Sequence, residues 1–164
     1  MDAVIERARR VRLLVLDVDG VLTDGRLFIS PAGEEFKVFH VRDGSGLVAV
    51  QRAGVTVAIV SGRSSEAVTR RAAELGIRHV RQGVAEKAAE LESLMRELGV
   101  AAAETACVGD DTPDLPMLRV AGLAVAVADA HPALRAVAHW ITPSPGGRGA
   151  VREVCDLLLS ASAP

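Results

Sequence analysis

The chain has 164 residues and a mass of 17.1 kDa, and its 49% hydrophobic and 24% charged residues are typical of a folded globular protein. Its 19 basic and 21 acidic residues leave a net charge of −2, which excludes the strongly positive surface that holds nucleic acid or an anionic membrane. Aromatic residues make up only 2% of the chain, so the predicted core consists of Val, Leu and Ala. We therefore predict a single domain over residues 1–164, with no nucleic-acid partner and no membrane partner.

The apolar segments are too short to cross a membrane, because the longest, residues 120–128, has about half of the length that a spanning helix needs. Charged residues within the first seven positions argue against a secretory signal, so we expect a cytoplasmic protein. The two cysteines, Cys107 and Cys155, lack the spacing and the histidine neighbours of a zinc site. They are predicted to be buried free thiols.

Four apolar runs, at residues 12–16, 55–60, 105–108 and 123–127, predict strands that are covered on both faces. Helical patterns separate or follow these runs at residues 65–75, at 86–98, after Thr112-Pro113 and at about 150–159. Strands that alternate with helices predict an α/β fold, a Rossmann-like parallel sheet flanked by helices.

The segment 25–40 interrupts this alternation. Two short β-prone stretches, at residues 26–29 and 35–39, are joined by a turn that contains Pro31 and Gly33. The stretches hold all three Phe residues of the chain. They predict a small β-hairpin flap, with no large cap domain.

Acidic residues follow two of the predicted strands. Because the carboxyl ends of parallel strands meet at one edge of a sheet, these side chains are expected to converge. Carboxylates at such a density repel one another unless a cation lies among them, and oxygen ligands favour Mg²⁺. The acidic residues are Asp17, Asp19 and Asp24 after the first run, and Asp110, Asp111 and Asp114 after the run at 105–108.

The order of motifs along nearly the whole chain resembles that of the haloacid dehalogenase superfamily of phosphohydrolases. An apolar strand precedes Asp17-Val18-Asp19-Gly20, a second precedes Ser61-Gly62-Arg63, Lys87 opens a helix, and a further strand precedes Gly109-Asp110-Asp111. The hairpin and the stretches at 39–44, 79–83 and 146–153 are similar to the superfamily's 3-deoxy-D-manno-octulosonate 8-phosphate phosphatase subfamily. The resemblance implies a Mg²⁺-dependent hydrolase of a sugar-acid phosphate.

The residue types suit this chemistry. A phosphate dianion repels a carboxylate, so Asp17 is expected to attack phosphorus only when Mg²⁺ and Lys87 neutralise both partners. Asp19 is expected to protonate the leaving alkoxide and then to deprotonate the water that cleaves the aspartyl-phosphate. Ser61 is predicted to donate its hydroxyl to a phosphoryl oxygen.

The predicted Mg²⁺ ligands are Asp17, Asp110 and the backbone carbonyl of Asp19, as the resemblance implies. Asp111 and Asp114 are expected to act through water or by orienting their neighbours. Asp24 has two open interpretations, as an acidic residue that the family often carries there or as a cap of the hairpin.

The substrate's carboxylate is predicted to pair with Arg63 and with Arg71, eight residues further along, where it would lie on the same helix face. The alternative that Arg71 is solvated beside Arg70 stays open. A phosphatase for a nonulosonate 9-phosphate, a non-catalytic oligomerising module and a phospho-receiver domain are competing functions.

The hairpin carries more apolar surface than a two-stranded ribbon can bury on itself. The subfamily that the chain resembles forms tetramers in which such hairpins pack together, so we predict a homotetramer. The glycine-rich loop at 146–149 is expected to contribute to a neighbouring subunit's site. The alternative is that the hairpin folds back over its own sheet.

Overall fold

Six parallel strands form the centre of the protein, and a separate two-stranded hairpin lies beside them. The computed structural model describes residues 1–162. The sheet order is 5-4-1-6-7-8, and each pair of neighbours runs parallel. The strands are β1 (Leu13–Leu16), β2 (Phe28–Ile29), β3 (Glu35–Phe36), β4 (Thr56–Val60), β5 (His79–Arg81), β6 (Thr105–Gly109), β7 (Leu123–Ala126) and β8 (Trp140–Ile141).

Helices cover both faces of the sheet, which is why all residues of β1, β6 and β7 are buried. Helices α1, α2 and α7 pack together, and α4 packs against α5. None of the helices in residues 1–162 is long and apolar enough to cross a membrane. The helices are α1 (Asp2–Ala8), α2 (Val41–Arg52), α3 (Glu66–Glu74), α4 (Lys87–Leu98), α5 (Leu115–Val120), α6 (Pro132–Arg135) and α7 (Ala150–Ala161).

The predicted fold class, a parallel sheet flanked by helices with a small hairpin, is confirmed. The hairpin strands β2 and β3 are only two residues long, shorter than the predicted stretches at 26–29 and 35–39. The helix expected to open at Thr112-Pro113 begins as a 3-10 turn, Thr112–Asp114, before α5. Helices α1, α2 and α6 and the short edge strands β5 and β8 were not predicted.

The direction in which the chain moves across the sheet reverses next to β1. From β1 the chain crosses to β4 and β5, whereas from β6 it crosses to β7 and β8 on the other side. In open parallel sheets the crevice at such a reversal, outside the carboxyl ends of the strands, is where ligands bind. The residues that follow β1 and β6 therefore lie where the sequence predicts the site.

Candidate active site

A buried triplet of charged side chains lies at the carboxyl end of β1. Asp17 directly follows the strand and is only 7% exposed. Lys87, the first residue of α4, donates from Nζ to Asp17 Oδ1 at 2.8 Å and to Asp114 Oδ1 at 2.6 Å. Since buried charges are costly without partners, this bridging lysine is what makes the two neighbouring carboxylates tolerable.

Asp114 holds the backbone after β6 as well as the Lys87 side chain. Its Oδ2 accepts hydrogen bonds from the backbone N–H groups of Asp110 at 3.0 Å and Asp111 at 3.4 Å. The side chain is 1% exposed, and its hydrogen-bond partners are Lys87 and the backbone of Asp110 and Asp111. This is the geometry expected of a residue that orients the loop after β6.

A cation would find several oxygen ligands here. Asp17, Asp110 and Asp114 each offer a carboxylate oxygen within 4.8 Å of the others. Burial and the nearby charge of Asp114 raise the pKa of Asp17 to about 6. Burial and three neighbouring carboxylates raise the pKa of Asp110 to about 8. Burial alone would lower the pKa of Lys87, but Asp17 and Asp114 outweigh it and raise that pKa.

These crowded hard oxygen ligands fit Mg²⁺. The carboxylates that come together are Asp17, Asp110 and Asp114, whereas the sequence analysis placed Asp114 outside the ligand set. Both carboxylate oxygens of Asp114 already accept hydrogen bonds, so Asp17 and Asp110 have more lone pairs free to bind a metal ion. Asp19 can add only its backbone carbonyl, because its carboxylate is engaged elsewhere.

Gly20 allows the loop after β1 to approach Asp110. Its φ is +91°, a left-handed conformation that glycine adopts without strain. A Cβ at this position would lie 2.0 Å from Asp110 Oδ2, which is far inside van der Waals contact. Glycine is therefore required for the two acidic loops to meet.

Two hairpin residues that the sequence analysis did not single out reach the site. Lys37 Nζ donates to Asp19 Oδ1 at 2.5 Å and lies 3.1 Å from Glu35 Oε1. Arg63 Nη2 donates to Glu35 Oε2 at 2.6 Å, and its Nε lies 3.7 Å from Asp19 Oδ2. The alternation of residues along the strand could have indicated this. Glu35 and Lys37 share one face of the ribbon, and the more exposed Phe36 between them lies on the other.

The predicted acidic residues other than Asp24, the phosphate-binding candidates and Arg63 line one open cavity of about 280 Å³. Ser61 is 2% exposed at the end of β4, where its Oγ accepts from the backbone N–H of Arg63 at 3.3 Å. Asp111 accepts from the Thr112 N–H and so begins the 3-10 turn. The lining residues are Asp17, Asp19, Ser61, Gly62, Arg63, Lys87, Asp110, Asp111, Pro113 and Asp114.

Arg71 is not brought to this cavity. It pairs with Glu74 at 3.0 Å and lines a different, largely apolar cavity together with His40 and Leu75. Arg63 precedes α3 rather than lying on it, so the expectation that the two arginines share a helix face is wrong. Whether Arg71 binds a substrate carboxylate stays a prediction.

Asp24 and the glycine-rich loop also lie against the chain's own first motif. Asp24 pairs with Arg26 at 2.6 Å and lies 3.8 Å from Arg148, as a carboxylate that ties the hairpin's start to the loop. The Gly147 N–H donates to the Val21 carbonyl at 2.9 Å. The loop therefore supports the site of its own subunit, a contact that the sequence analysis did not anticipate.

Comparison with known proteins agrees with this arrangement. Residues 80–154 match the haloacid dehalogenase-like hydrolase family. The 3-deoxy-D-manno-octulosonate 8-phosphate phosphatase of Escherichia coli K12 is 49% identical over 158 residues, which cover 96% of this chain and 84% of that protein.

Two solved structures extend the likeness to the fold. The 3-deoxy-D-manno-octulosonate 8-phosphate phosphatase of Yersinia pestis is 46% identical, with a TM-score of 0.97 over 98% of this chain and 87% of its own. The Moraxella catarrhalis phosphatase, solved with magnesium, phosphate and 3-deoxy-D-manno-octulosonate, is 44% identical, with a TM-score of 0.97 over 98% of this chain and 92% of its own. The chain therefore belongs to the haloacid dehalogenase-like hydrolases, in the family of the 3-deoxy-D-manno-octulosonate 8-phosphate phosphatases.

Proposed function

We propose that this protein is a Mg²⁺-dependent phosphatase that hydrolyses 3-deoxy-D-manno-octulosonate 8-phosphate through an aspartyl-phosphate on Asp17. The observation that carries the proposal is the Lys87 bridge, which holds Asp17 against Asp114 in an open cavity with Asp110 close by. We assign the whole chain, residues 1–164, to one phosphatase domain in which residues 25–40 form a flap.

The first step is displacement at phosphorus. Asp17 attacks with one carboxylate oxygen, the phosphorus–oxygen bond to the sugar breaks, and Asp19 gives a proton to the leaving alkoxide. Lys87 and the Ser61 hydroxyl bind phosphoryl oxygens and stabilise their charge. Mg²⁺ held by Asp17, Asp110 and the Asp19 carbonyl would supply further neutralising charge between nucleophile and phosphate.

The second step releases phosphate. Asp19, now ionised, takes a proton from water, which attacks the aspartyl-phosphate and restores the Asp17 carboxylate. We assign both roles to Asp19 because it follows Asp17 by two residues and lines the same cavity; its carboxylate gives up the contact with Lys37 when it takes up a proton. Asp111 and Asp114 position the loop that carries Asp110.

The test is phosphate release from a panel of substrates, with Mg²⁺ and with a chelator. We expect fastest turnover on 3-deoxy-D-manno-octulosonate 8-phosphate, and no turnover in the chelator or in Asp17→Asn. Asp156→Asn, which alters an exposed helix residue paired with Arg152, is the matched control. Faster turnover of a nonulosonate 9-phosphate would select the alternative substrate, and activity retained in Asp17→Asn would remove the nucleophile assignment.

We also propose that the protein is a homotetramer. Phe28 and Phe36 are cross-strand partners on one face of the hairpin and are 43% and 59% exposed, an apolar surface that another copy of the chain would cover. Replacing Phe28 and Phe36 together by Ser should yield smaller species in light scattering and weaker turnover. An active monomer of the unaltered protein at micromolar concentration would contradict this proposal.

A further inference from the structure

The carboxylate of Glu35 lies between two cations, Lys37 and Arg63, of which Arg63 lines the cavity. Arg63 Nη2 donates to Glu35 Oε2 at 2.6 Å, and Lys37 Nζ lies 3.1 Å from Glu35 Oε1. The Lys37 side chain is 1% exposed and also contacts Asp19, whereas that of Arg63 is 50% exposed. The pair of cations thus forms a carboxylate-binding position that opens to solvent on the side of Arg63.

Glu35 is incompletely satisfied in this position. Its Oε1 is buried but accepts no well-aligned hydrogen bond from any group in residues 1–162, despite its closeness to Lys37. A buried oxygen without an aligned donor costs free energy, so this side of Glu35 is held by the charge of Lys37 at 3.1 Å rather than by a well-formed hydrogen bond. Arg63 nevertheless lowers the pKa of Glu35 to about 2, so Glu35 is an anion at neutral pH.

The strand that carries Glu35 belongs to a ribbon separate from the main sheet. Within residues 1–162, Glu35 lies in β3, which pairs with β2 and with no strand of the main sheet, and each of the two strands has two residues. The turn of the hairpin is closed by its own hydrogen bonds between Ser30 and Glu34. Displacement of so short a ribbon would break fewer strand pairs than opening the six-stranded sheet.

We propose that Glu35 is a specificity-determining residue whose carboxylate occupies, between Arg63 and Lys37, the position that the substrate's carboxylate takes on binding. This inference rests on the proposed function, because only an acidic sugar phosphate brings a second carboxylate. Exchange of one carboxylate for another keeps both cations paired and leaves no buried charge alone. A phosphate ester without a carboxylate does not compete with Glu35 for the two cations, so its binding should not depend on Glu35.

Glu35 then competes with acidic substrates. Their apparent affinity equals the intrinsic affinity multiplied by the fraction of time for which Glu35 leaves the position vacant. The test is Glu35→Gln, which keeps the shape but removes the charge, with Glu34→Gln as the matched control in the adjacent turn position. The measured quantity is the KM for 3-deoxy-D-manno-octulosonate 8-phosphate divided by the KM for p-nitrophenyl phosphate. If Glu35 fills the position about nine tenths of the time, the ratio should fall about tenfold in Glu35→Gln. Glu34→Gln should retain the ratio of the unaltered protein.

Inhibition by free 3-deoxy-D-manno-octulosonate gives an independent measure, since this product retains the carboxylate and lacks the phosphate. Its inhibition constant against p-nitrophenyl phosphate should fall by a similar factor in Glu35→Gln, and in Glu35→Ala if the first variant folds poorly. An unchanged or raised ratio and inhibition constant would overturn the inference and leave Glu35 as a support for Arg63 and Lys37. If the unaltered protein does not hydrolyse the sugar-acid phosphate at all, the proposed function fails, and the inhibition constants of the acid still decide the role of Glu35.

Discussion

Replacement of Lys87 by Met tests how the charges of the site are balanced. The lysine donates to Asp17 and Asp114, and the side chains of these three residues are 6%, 9% and 1% exposed. Removing one partner of a buried ion pair typically destabilises a protein by about 3–5 kcal/mol. Met has nearly the volume of Lys, so little of the loss would come from a cavity. We therefore expect Lys87→Met to lose about 3–5 kcal/mol of unfolding free energy in EDTA at pH 8, together with its phosphatase activity.

Urea unfolding followed by the fluorescence of Trp140, the single Trp of the chain, measures this loss. The melting temperature should fall by roughly 6 to 20 °C for a chain of this size. Arg70→Met is the matched control, because Arg70 and Glu66 pair with 78% and 72% of their side chains exposed and should lose at most about 1 kcal/mol. Asp114→Asn in the Lys87→Met background should cost less than Asp114→Asn alone, since it removes one of the two stranded carboxylates. A loss in Lys87→Met no larger than in Arg70→Met would refute the reasoning.

Three other outcomes are expected. Arg63→Ala should raise the KM for the sugar-acid phosphate about 10- to 100-fold, which corresponds to the loss of one charge-assisted hydrogen bond, and should raise the KM for p-nitrophenyl phosphate much less. Equal increases for both substrates in steady-state kinetics would contradict a carboxylate-specific role. In metal-free protein the pKa of Asp110 is raised to about 8, so between about pH 4 and 8 the folded state holds a proton that the unfolded state has released. Urea titrations should therefore show the free energy of unfolding falling as the pH rises from about 4 to 8. A flat profile in EDTA would contradict this, and Mg²⁺ should reduce the slope. Gly146→Ala should lower both the melting temperature and kcat, because the added Cβ would lie 1.7 Å from the Gly20 carbonyl oxygen; normal values for both would show that the two loops do not pack as described.

The buried strands were predictable because each is covered on both faces and ends at a polar or glycine-containing turn. The apolar runs at residues 55–60 and 105–108 correspond to β4 and β6, and the residues that follow them line the cavity. Strand β8 gave no such signal, since it has two half-buried residues at the edge of the sheet. An edge of that length is defined by its neighbour rather than by its own sequence.

Helix α2 was missed because Gly44 and Gly46 lie in its first half, where glycine normally disfavours a helix. The structure gives the reason for these residues. A Cβ on Gly44 would lie 2.4 Å from Arg71 Nη2, and one on Gly46 would lie 3.0 Å from Cys155 Cβ. Close packing of α2 against α3 and α7 thus outweighs local propensity, and a single sequence does not reveal such tertiary contacts.

The residues of the site likewise divide into those that the strand pattern predicts and those that depend on tertiary contacts. The positions of Asp17, Asp19 and Asp110 beside one cavity were predictable, because these residues come within three positions of the ends of strands that must converge. Lys37 contacts Asp19 only because the hairpin folds over its own sheet edge, and Arg71 points into another cavity because its helix begins after Arg63. Both depend on how a loop turns, which neither periodicity nor spacing determines.

The position of β1 in the middle of the sheet affects how the chain is made. Leu13 pairs with Thr56 on one side and with Thr105 on the other, so β1 has its second neighbour only after β6 has been synthesised. At about 5 to 20 residues per second, an apolar strand on a ribosome-bound chain waits for roughly 5 to 20 s before both of its edges are covered. During that interval the segment is exposed to aggregation and to chaperones, and Asp17, the proposed nucleophile that follows it, has no fixed surroundings. Expression yield in cells should therefore be more sensitive to substitutions that slow the pairing of β6 than to equally destabilising changes in α7, which is added last.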